Sequence, residues 1–395
     1  MNGKSDTHTK PKRRRRGPIR RRSIRAAAET QEVIQEAKRR NEVASNHPTL
    51  LSETSFDIQP LHPDTKRALV EVLRLERMTR IQEQTFNLIR SGGDVLARSK
   101  TGTGKTLAFL VPIVERLADS SSFSIMRGIN VLIVAPTREL AIQIADQADA
   151  LLTFHDQLSV HCMYGGTKMQ RDVNRFNRRQ TPNILVATPG RLLDHLKGKT
   201  RIQRRLFKDV LQSETNILVY DEVDRLLSGF PKEMKQILSY IPRRDKRQTL
   251  LFSATLPKKA INQAKESMLS ESYEFVDCAQ SDDSVNAPSA SGPLAATEVN
   301  AGVEQSYVVL PSMDMYISAL IALVHDAMQQ DPNAKVVVFF PTARLVRFFA
   351  QVLADVGAIE LHSRLSQGTR NKARSKFTDA KTGILLTSDV SARGT

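Results

Sequence analysis

Ser99-Lys100-Thr101-Gly102-Thr103-Gly104-Lys105-Thr106 stands between the apolar run Asp94-Val-Leu-Ala97 and the helix-patterned stretch Leu107–Leu117. A buried strand, a glycine-rich turn and a helix start in that order make a phosphate-binding loop. The glycines let backbone N–H groups curl around a phosphate, and the helix N-terminus adds a favourable dipole. The octet follows the G-x-x-x-x-G-K-[ST] pattern with Ser99 in place of the first glycine. Lys105 is expected to reach the β/γ-phosphates, and Thr106 to offer its hydroxyl to Mg²⁺.

Downstream, the run Ile217-Leu-Val-Tyr220 ends in Asp221-Glu222-Val223-Asp224. An apolar strand that ends in Asp-Glu is the second mark of an NTPase. Asp221 is expected in the Mg²⁺ shell, and Glu222 is expected to orient and deprotonate an attacking water. Between and beyond these motifs, the runs Val131–Ala135, Ile184–Ala187, Thr249–Phe252 and Tyr273–Val276 are short and aliphatic, without alternation. Strands covered on both faces have that composition. Helical patterns lie between them, as in Arg138–Leu152. This alternation predicts an α/β fold with a parallel sheet between helical layers over residues 48–278. A stretch rich in Ser, Ala, Asp, Asn and Pro, residues 279–302, is expected to be a linker. A second alternating segment, 303–395, runs from Gln305–Leu310 through helix Tyr316–Met328, strand Val336–Phe340, helix Ala343–Val356 and strand Ile384–Leu386.

The chain of 395 residues is 40% apolar, lacks Trp and carries a net charge of +16. Aliphatic packing must therefore dominate its cores. No run reaches the roughly 18 apolar residues of a membrane span, and no apolar segment follows the basic N-terminus to make a secretory signal. Cys162 and Cys278 lie far apart without metal-ligand spacing, which predicts two free thiols. The charge is concentrated at one end: residues 1–47 hold 14 Lys/Arg against 5 Asp/Glu. Such density predicts a disordered basic tail, with Ala26–Val43 a marginal polar helix, and favours a polyanionic partner.

Further short motifs recur in order: Pro136-Thr137-Arg138-Glu-Leu140, Gly165-Gly166, Thr188-Pro189-Gly190-Arg191, Ser253-Ala-Thr255, Leu365-Ser-Gln367 with Arg370, and Thr387-Ser-Asp389 through Ala392-Arg-Gly394. Together with the two NTPase motifs, this series resembles the DEAD-box family of ATP-dependent RNA helicases from about Phe56 to the last residue. The resemblance implies two RecA-like P-loop domains, the second incomplete, with ATP and Mg²⁺ as cofactors. It implies that Gln82 reads the adenine edge with Phe56 packed nearby, and that Ser253 and Thr255 couple nucleotide to domain closure. It also implies that the segments at 136–138, 165–166 and 188–191 line an RNA groove. Arg138 and Arg191 can meet phosphate oxygens, and Thr137, Thr188 and the Gly-Gly backbone can donate hydrogen bonds. Backbone contacts of this kind imply RNA binding without sequence specificity, followed by local unwinding of short duplexes coupled to ATP hydrolysis.

Departures from the family pattern are visible. Val223 replaces the usual Ala, and Leu75 and Met78 stand where the adenine element usually has Phe and Pro. The family's last motif, with its arginine fingers, is not reached before Thr395. Such fingers are worth ~10³–10⁵ in rate, so this stretch alone is expected to bind ATP better than it hydrolyses it, and a fragment of a longer product is the expected explanation. The wording around the phosphate loop and at Ser388–Gly394 resembles the fungal mitochondrial-type branch and related plant members. That favours mitochondria, whereas the Arg-rich tail read alone favours a nuclear signal or an RNA tether. Two competing functions stay open at this point. One is a non-catalytic RNA clamp. The other is a processive DNA helicase, which Gln82 and the groove motifs argue against.

Overall fold

The computed structural model describes residues 51–119, 128–178, 181–279 and 307–388. The basic tail, most of the 279–302 linker and the Asp389–Gly394 motif lie outside them. Fourteen strands are present among the described residues: β1 (Leu51–Ser55), β2 (Arg77–Thr79), β3 (Val95–Arg98), β4 (Val131–Val134), β5 (Val160–Met163), β6 (Ile184–Ala187), β7 (Arg201–Ile202), β8 (Arg205–Leu206), β9 (Ile217–Asp221), β10 (Gln248–Ser253), β11 (Glu274–Asp277), β12 (Lys335–Phe340), β13 (Ile359–Leu361) and β14 (Gly383–Ser388).

Domain 1 is a seven-stranded sheet in the order β11-β3-β10-β9-β4-β6-β5, parallel at every pairing. Every residue of β4, β6, β9 and β10 is buried, as expected for strands sandwiched between helical layers. Alternate side chains feed two separate cores: Val131, Ile133, Val219 and Phe252 pack on one face, and Leu132, Val134, Leu218 and Tyr220 on the other. Helix Lys105–Ala118, hydrophobic on all sides, runs through the first core. The expected elements recur with shifts of one or two residues at their ends, the ordinary uncertainty of fraying turns.

Several elements were not foreseen. β5, Val160-His-Cys-Met163, is too polar to read as a buried strand, yet it pairs with β6 at the sheet edge. The β1–β2 pair and the β7–β8 hairpin are antiparallel additions outside the main sheet. Residues 307–310, part of the segment expected to open domain 2, belong to no strand or helix. Domain 2 has a smaller parallel sheet among the described residues, β12-β14-β13. Helix Ala343–Val352 is shorter than predicted and gives way to a 3₁₀ turn before Gly357 at positive φ. Both cysteines are free. No described helix is long and apolar enough to cross a membrane.

Candidate nucleotide site and nucleic-acid groove

The loops that follow β3, β10 and β9, three adjacent parallel strands, converge at the carboxyl edge of the sheet. This is the position where open α/β sheets bind ligands. Ser99 follows β3, and its N–H donates to the Ser253 carbonyl at the end of β10 (3.1 Å). Within the loop, the Ser99 and Thr103 hydroxyls lie 2.6 Å apart, and Thr103 Oγ1 also donates to the Lys100 carbonyl (2.9 Å). Thr101 and Gly102 form the exposed tip. Gly102 and Gly104 hold φ of 79° and 83°, a region open mainly to glycine. Gly104 is needed twice over, since a Cβ there would come within 2.5 Å of Gln82 Nε2.

Lys105 Nζ folds back onto the loop and donates to the carbonyls of Ser99 (2.8 Å) and Lys100 (2.6 Å). Its ammonium thus lies inside the cradle that the loop backbone makes. Burial holds its pKa below the usual lysine value, while Asp221, Glu222 and Asp224 oppose that shift. Burial pushes the Asp221 carboxyl up to about 6, with Lys105 pulling the other way. A buried carboxylate whose charge is this costly is well suited to a divalent cation, and Thr106 lies in the first turn of the helix beside it. The residues present therefore fit a Mg²⁺-bound triphosphate.

Glu222 has a φ of 51° as the cap of helix Val223–Gly229, and its N–H donates to Asp221 Oδ1 (3.0 Å). A left-handed glutamate is strained by ~1–3 kcal/mol, and such strain collects at functional positions. Asp224, one turn on, accepts from the hydroxyls of both Ser253 and Thr255 at 2.5 Å each. The Thr255 N–H closes the arrangement onto Ser253 Oγ (3.2 Å). One continuous hydrogen-bonded path therefore runs from the phosphate loop through Ser253 to the Asp221–Asp224 string. Val223 is buried in the core, so the extra methyl groups point away from this polar path.

Gln82 is buried at 4% exposure. Its Oε1 accepts from Thr79 N (2.9 Å) in a capping box, and its Nε2 donates to the Gly104 carbonyl (3.2 Å). It ties helix Arg80–Arg90 directly to the glycine-rich loop. Phe56 is 2% exposed and belongs to the core cluster that also holds Met78 and Ile81, at the start of the Gln82 helix.

The other half of the sheet edge carries the remaining motifs. The loops after β4, β6 and β5, again neighbours, hold Pro136-Thr137, Thr188–Arg191 and Gly165-Gly166. Thr137 caps helix Arg138–Leu151 by accepting from Leu140 N (3.2 Å). Arg138 lies against the glycine pair: Gly166 holds a φ of 84° and a Cβ there would fall 2.4 Å from Arg138 Nη1, whereas a Cβ on Gly165 would make ordinary contact at 3.4 Å. Thr188 caps the helix that starts with Pro189 and Gly190.

Arg191 does not reach the groove as a free cation. It is 5% exposed, donating to the carbonyl of Tyr164 (3.0 Å) and to the Thr167 hydroxyl (2.8 Å) and carbonyl, and pairing with Asp172 (3.3 Å). Asp172 in turn holds His195 (3.2 Å). This buried network fastens the Gly165-Gly166 loop in place, so Arg191 is a positioning residue.

Among the described residues, helix Gln367–Asp379 of domain 2 meets this edge. Arg370 Nη2 pairs with Glu139, both side chains only 9% exposed, and Arg138 Nη1 donates to Gln367 Oε1 (2.9 Å).

The DEAD/DEAH box helicase family model matches residues 79–264, and the helicase conserved C-terminal domain model matches 316–395. The chain belongs to the DEAD-box helicase family. It is 39% identical over 347 residues to DEAD-box ATP-dependent RNA helicase 26 of Oryza sativa, covering 87% of this chain and 60% of that protein. It is 36% identical to helicase 25 of the same plant, covering 91% and 57%. This DEAD-box chain thus spans under two thirds of the length of those curated relatives. Among solved structures, Mss116p bound to ssRNA and AMP-PNP matches with a TM-score of 0.75 at 29% identity, over 87% of this chain and 67% of that one.

The motif strings contain Asp224, Glu139, Gln367 and Arg370, but the sequence gives none of the four a partner. The structure pairs Asp224 with Ser253 and Thr255, Glu139 with Arg370, and Gln367 with Arg138.

Proposed function

We propose that this chain is the ATP-driven core of an RNA helicase that grips the RNA backbone and melts short duplexes locally. The observation that carries this reading is the shared edge of the sheet. The β3, β10 and β9 loops make a phosphate site, and the adjoining β4, β6 and β5 loops make a donor-lined groove. Ser253, Thr255 and Asp224 link the loop after β10 to the string after β9.

In this reading Lys105 binds the β/γ-phosphates, the loop amides around Gly102–Gly104 cradle them, and Gln82 stands at the adenine edge. Thr106 and Asp221 would hold Mg²⁺, which neutralises phosphate charge when bound. Glu222 orients the attacking water and takes its proton. Arg138, Thr137, Thr188 and the Gly165-Gly166 backbone meet RNA phosphates and sugars. Contacts of that kind do not read bases, so affinity depends on salt more than on sequence. Arg138 links groove and seam, since it lies on the Gly-Gly loop and donates to Gln367 of domain 2. The Arg-rich segment 1–25 fits a nuclear signal, an RNA tether or a mitochondrial presequence, and a fluorescent fusion of the full chain would separate the two addresses.

The test replaces Glu222 with Gln in the full-length protein. ATP affinity should stay within threefold, while RNA-stimulated phosphate release falls by about 10²–10⁴. Turnover within threefold of wild type would assign the general base elsewhere. Equal stimulation by RNA and by DNA of the same sequence would contradict the RNA assignment, since only RNA offers the 2′-OH.

A further inference from the structure

His62, Asp64 and His155 each offer a ligand atom, and these atoms lie within 4.8 Å of one another. They belong to neither the nucleotide site nor the groove. His62 caps the short helix Pro63–Arg67, Asp64 lies in its first turn, and His155 follows the far end of helix Arg138–Leu151. The two imidazole centroids are 5.2 Å apart and tilted by 39°, an arrangement with no hydrogen bond between the rings. His62 Nδ1 lies 3.6 Å from Asp64 Oδ2. In a tetrahedral site with ligand bonds of about 2.0–2.1 Å, neighbouring ligands stand roughly 3.4 Å apart. This pair is therefore close to the required edge.

The surroundings have the outer contacts that such sites use. His155 is buried, and its Nε2 lies 3.0 Å from Thr65 Oγ1, which fixes the ring. An imidazole oriented by an outer hydrogen bond is the usual partner of a metal ion. Glu115, 4% exposed, accepts the His62 backbone N–H through Oε2 (2.8 Å). Its Oε1 has no hydrogen-bond partner among the described residues. A buried carboxylate oxygen without a partner leaves negative charge uncompensated, and a cation held by His62 would offset it. The one competing interaction is weak: Asp64 N donates to His62 Nδ1 at 3.2 Å, and a metal at that nitrogen would replace it. Hard cations such as Mg²⁺ prefer all-oxygen shells, whereas two imidazoles and one carboxylate suit Zn²⁺.

We propose that His62, Asp64 and His155 form a site for a divalent ion of the Zn²⁺ class, with water completing its shell. The ion staples the helix that follows the Phe56 segment to the end of the helix whose first residues, Arg138 and Glu139, face the groove and domain 2. It is a structural clamp separate from the Mg²⁺-nucleotide chemistry.

The experiment uses the tag-free chain, stripped with chelator and without nucleotide, titrated with Zn²⁺ by calorimetry. The wild type should bind one equivalent more than His62→Gln does, or at least tenfold more tightly, and Zn²⁺ should raise its Tm. Mg²⁺ at the same concentration should not raise it. Replacing the buried His155 risks the fold, so the half-exposed His62 carries the test and Asp64→Asn serves as a second variant. Zn²⁺ bound with equal stoichiometry and affinity by the wild type and both variants would overturn the proposal. So would an equal rise in Tm in all three.

Discussion

Strands β10 and β12 are both six residues long, and β12, Lys-Val-Val-Val-Phe-Phe, is the more apolar. Yet every residue of β10, Gln-Thr-Leu-Leu-Phe-Ser, is buried, while Val337 and Phe339 of β12 are exposed. The difference comes from their neighbours. β10 lies between β3 and β9 with helical cover on both faces, whereas β12 is the edge of the three-stranded order β12-β14-β13. Phe340 on the other face of β12 stacks on Phe349, 4.7 Å between centroids, so among the described residues only one face of the strand is covered. Side-chain hydrophobicity thus proposes a buried strand, and the layers on either side decide it.

The largest expected effect follows from that contrast. Phe252 is fully buried and its ring lies 5.2 Å from Phe109, so Phe252→Ala should destabilise domain 1 by about 3–5 kcal/mol. Phe339 is 57% exposed, and Phe339→Ala should shift stability by less than about 0.5 kcal/mol. Urea melts of both variants test this. Equal losses would mean that the open face of β12 is covered in solution.

A smaller effect probes the seam between the domains. The Glu139–Arg370 pair is the buried ionic contact between them among the described residues. A double-mutant cycle with Glu139→Gln and Arg370→Gln should give a coupling of about 0.5–3 kcal/mol. Additive single effects would indicate that the domains do not dock through this pair.

The smallest effect is confined to domain 1 and to acid. Burial, reinforced by Arg175, depresses the His161 pKa to about 4 from an ordinary 6.5. The folded ring stays neutral while the unfolded chain takes up a proton. The fold is therefore unpenalised above pH 6.5 and loses stability as pH falls from there toward 4. Between pH 7 and 5.5 the loss is about 1 kcal/mol. Melting temperatures over that range should fall more steeply for wild type than for His161→Leu; parallel slopes would sink the assignment.

Much of this architecture is legible in the sequence because strand-end loops carry their chemistry in short contiguous strings. Residues 99–106, 221–224 and 253–255 each name one loop, and the aliphatic runs before them name the strands. What the sequence conceals is contact across the fold. Gln82 is singled out by the family resemblance alone, and its bond from Nε2 to the Gly104 carbonyl is invisible in the sequence. Phe56 reads as the aromatic beside an adenine until the core closes over it. Arg191 reads as a phosphate ligand until Asp172, Thr167 and the Tyr164 carbonyl surround it. β5 escapes notice because an edge strand needs only one apolar face, and its Cys162 and His161 do not advertise even that. In each case the residue types are visible at once, and only long-range packing assigns their partners.

The central claim is that the β3, β10 and β9 loops form a nucleotide site built entirely on domain 1 residues. Lys105 is its most exacting member, since its ammonium fills the loop cradle through the carbonyls of Ser99 and Lys100. Calorimetric titration with AMP-PNP and Mg²⁺, on the wild type and on Lys105→Ala, tests the claim directly. The account predicts at least a tenfold loss of affinity, about 1.4 kcal/mol, with the melting temperature of the free protein nearly unchanged. Undiminished affinity in Lys105→Ala would contradict it.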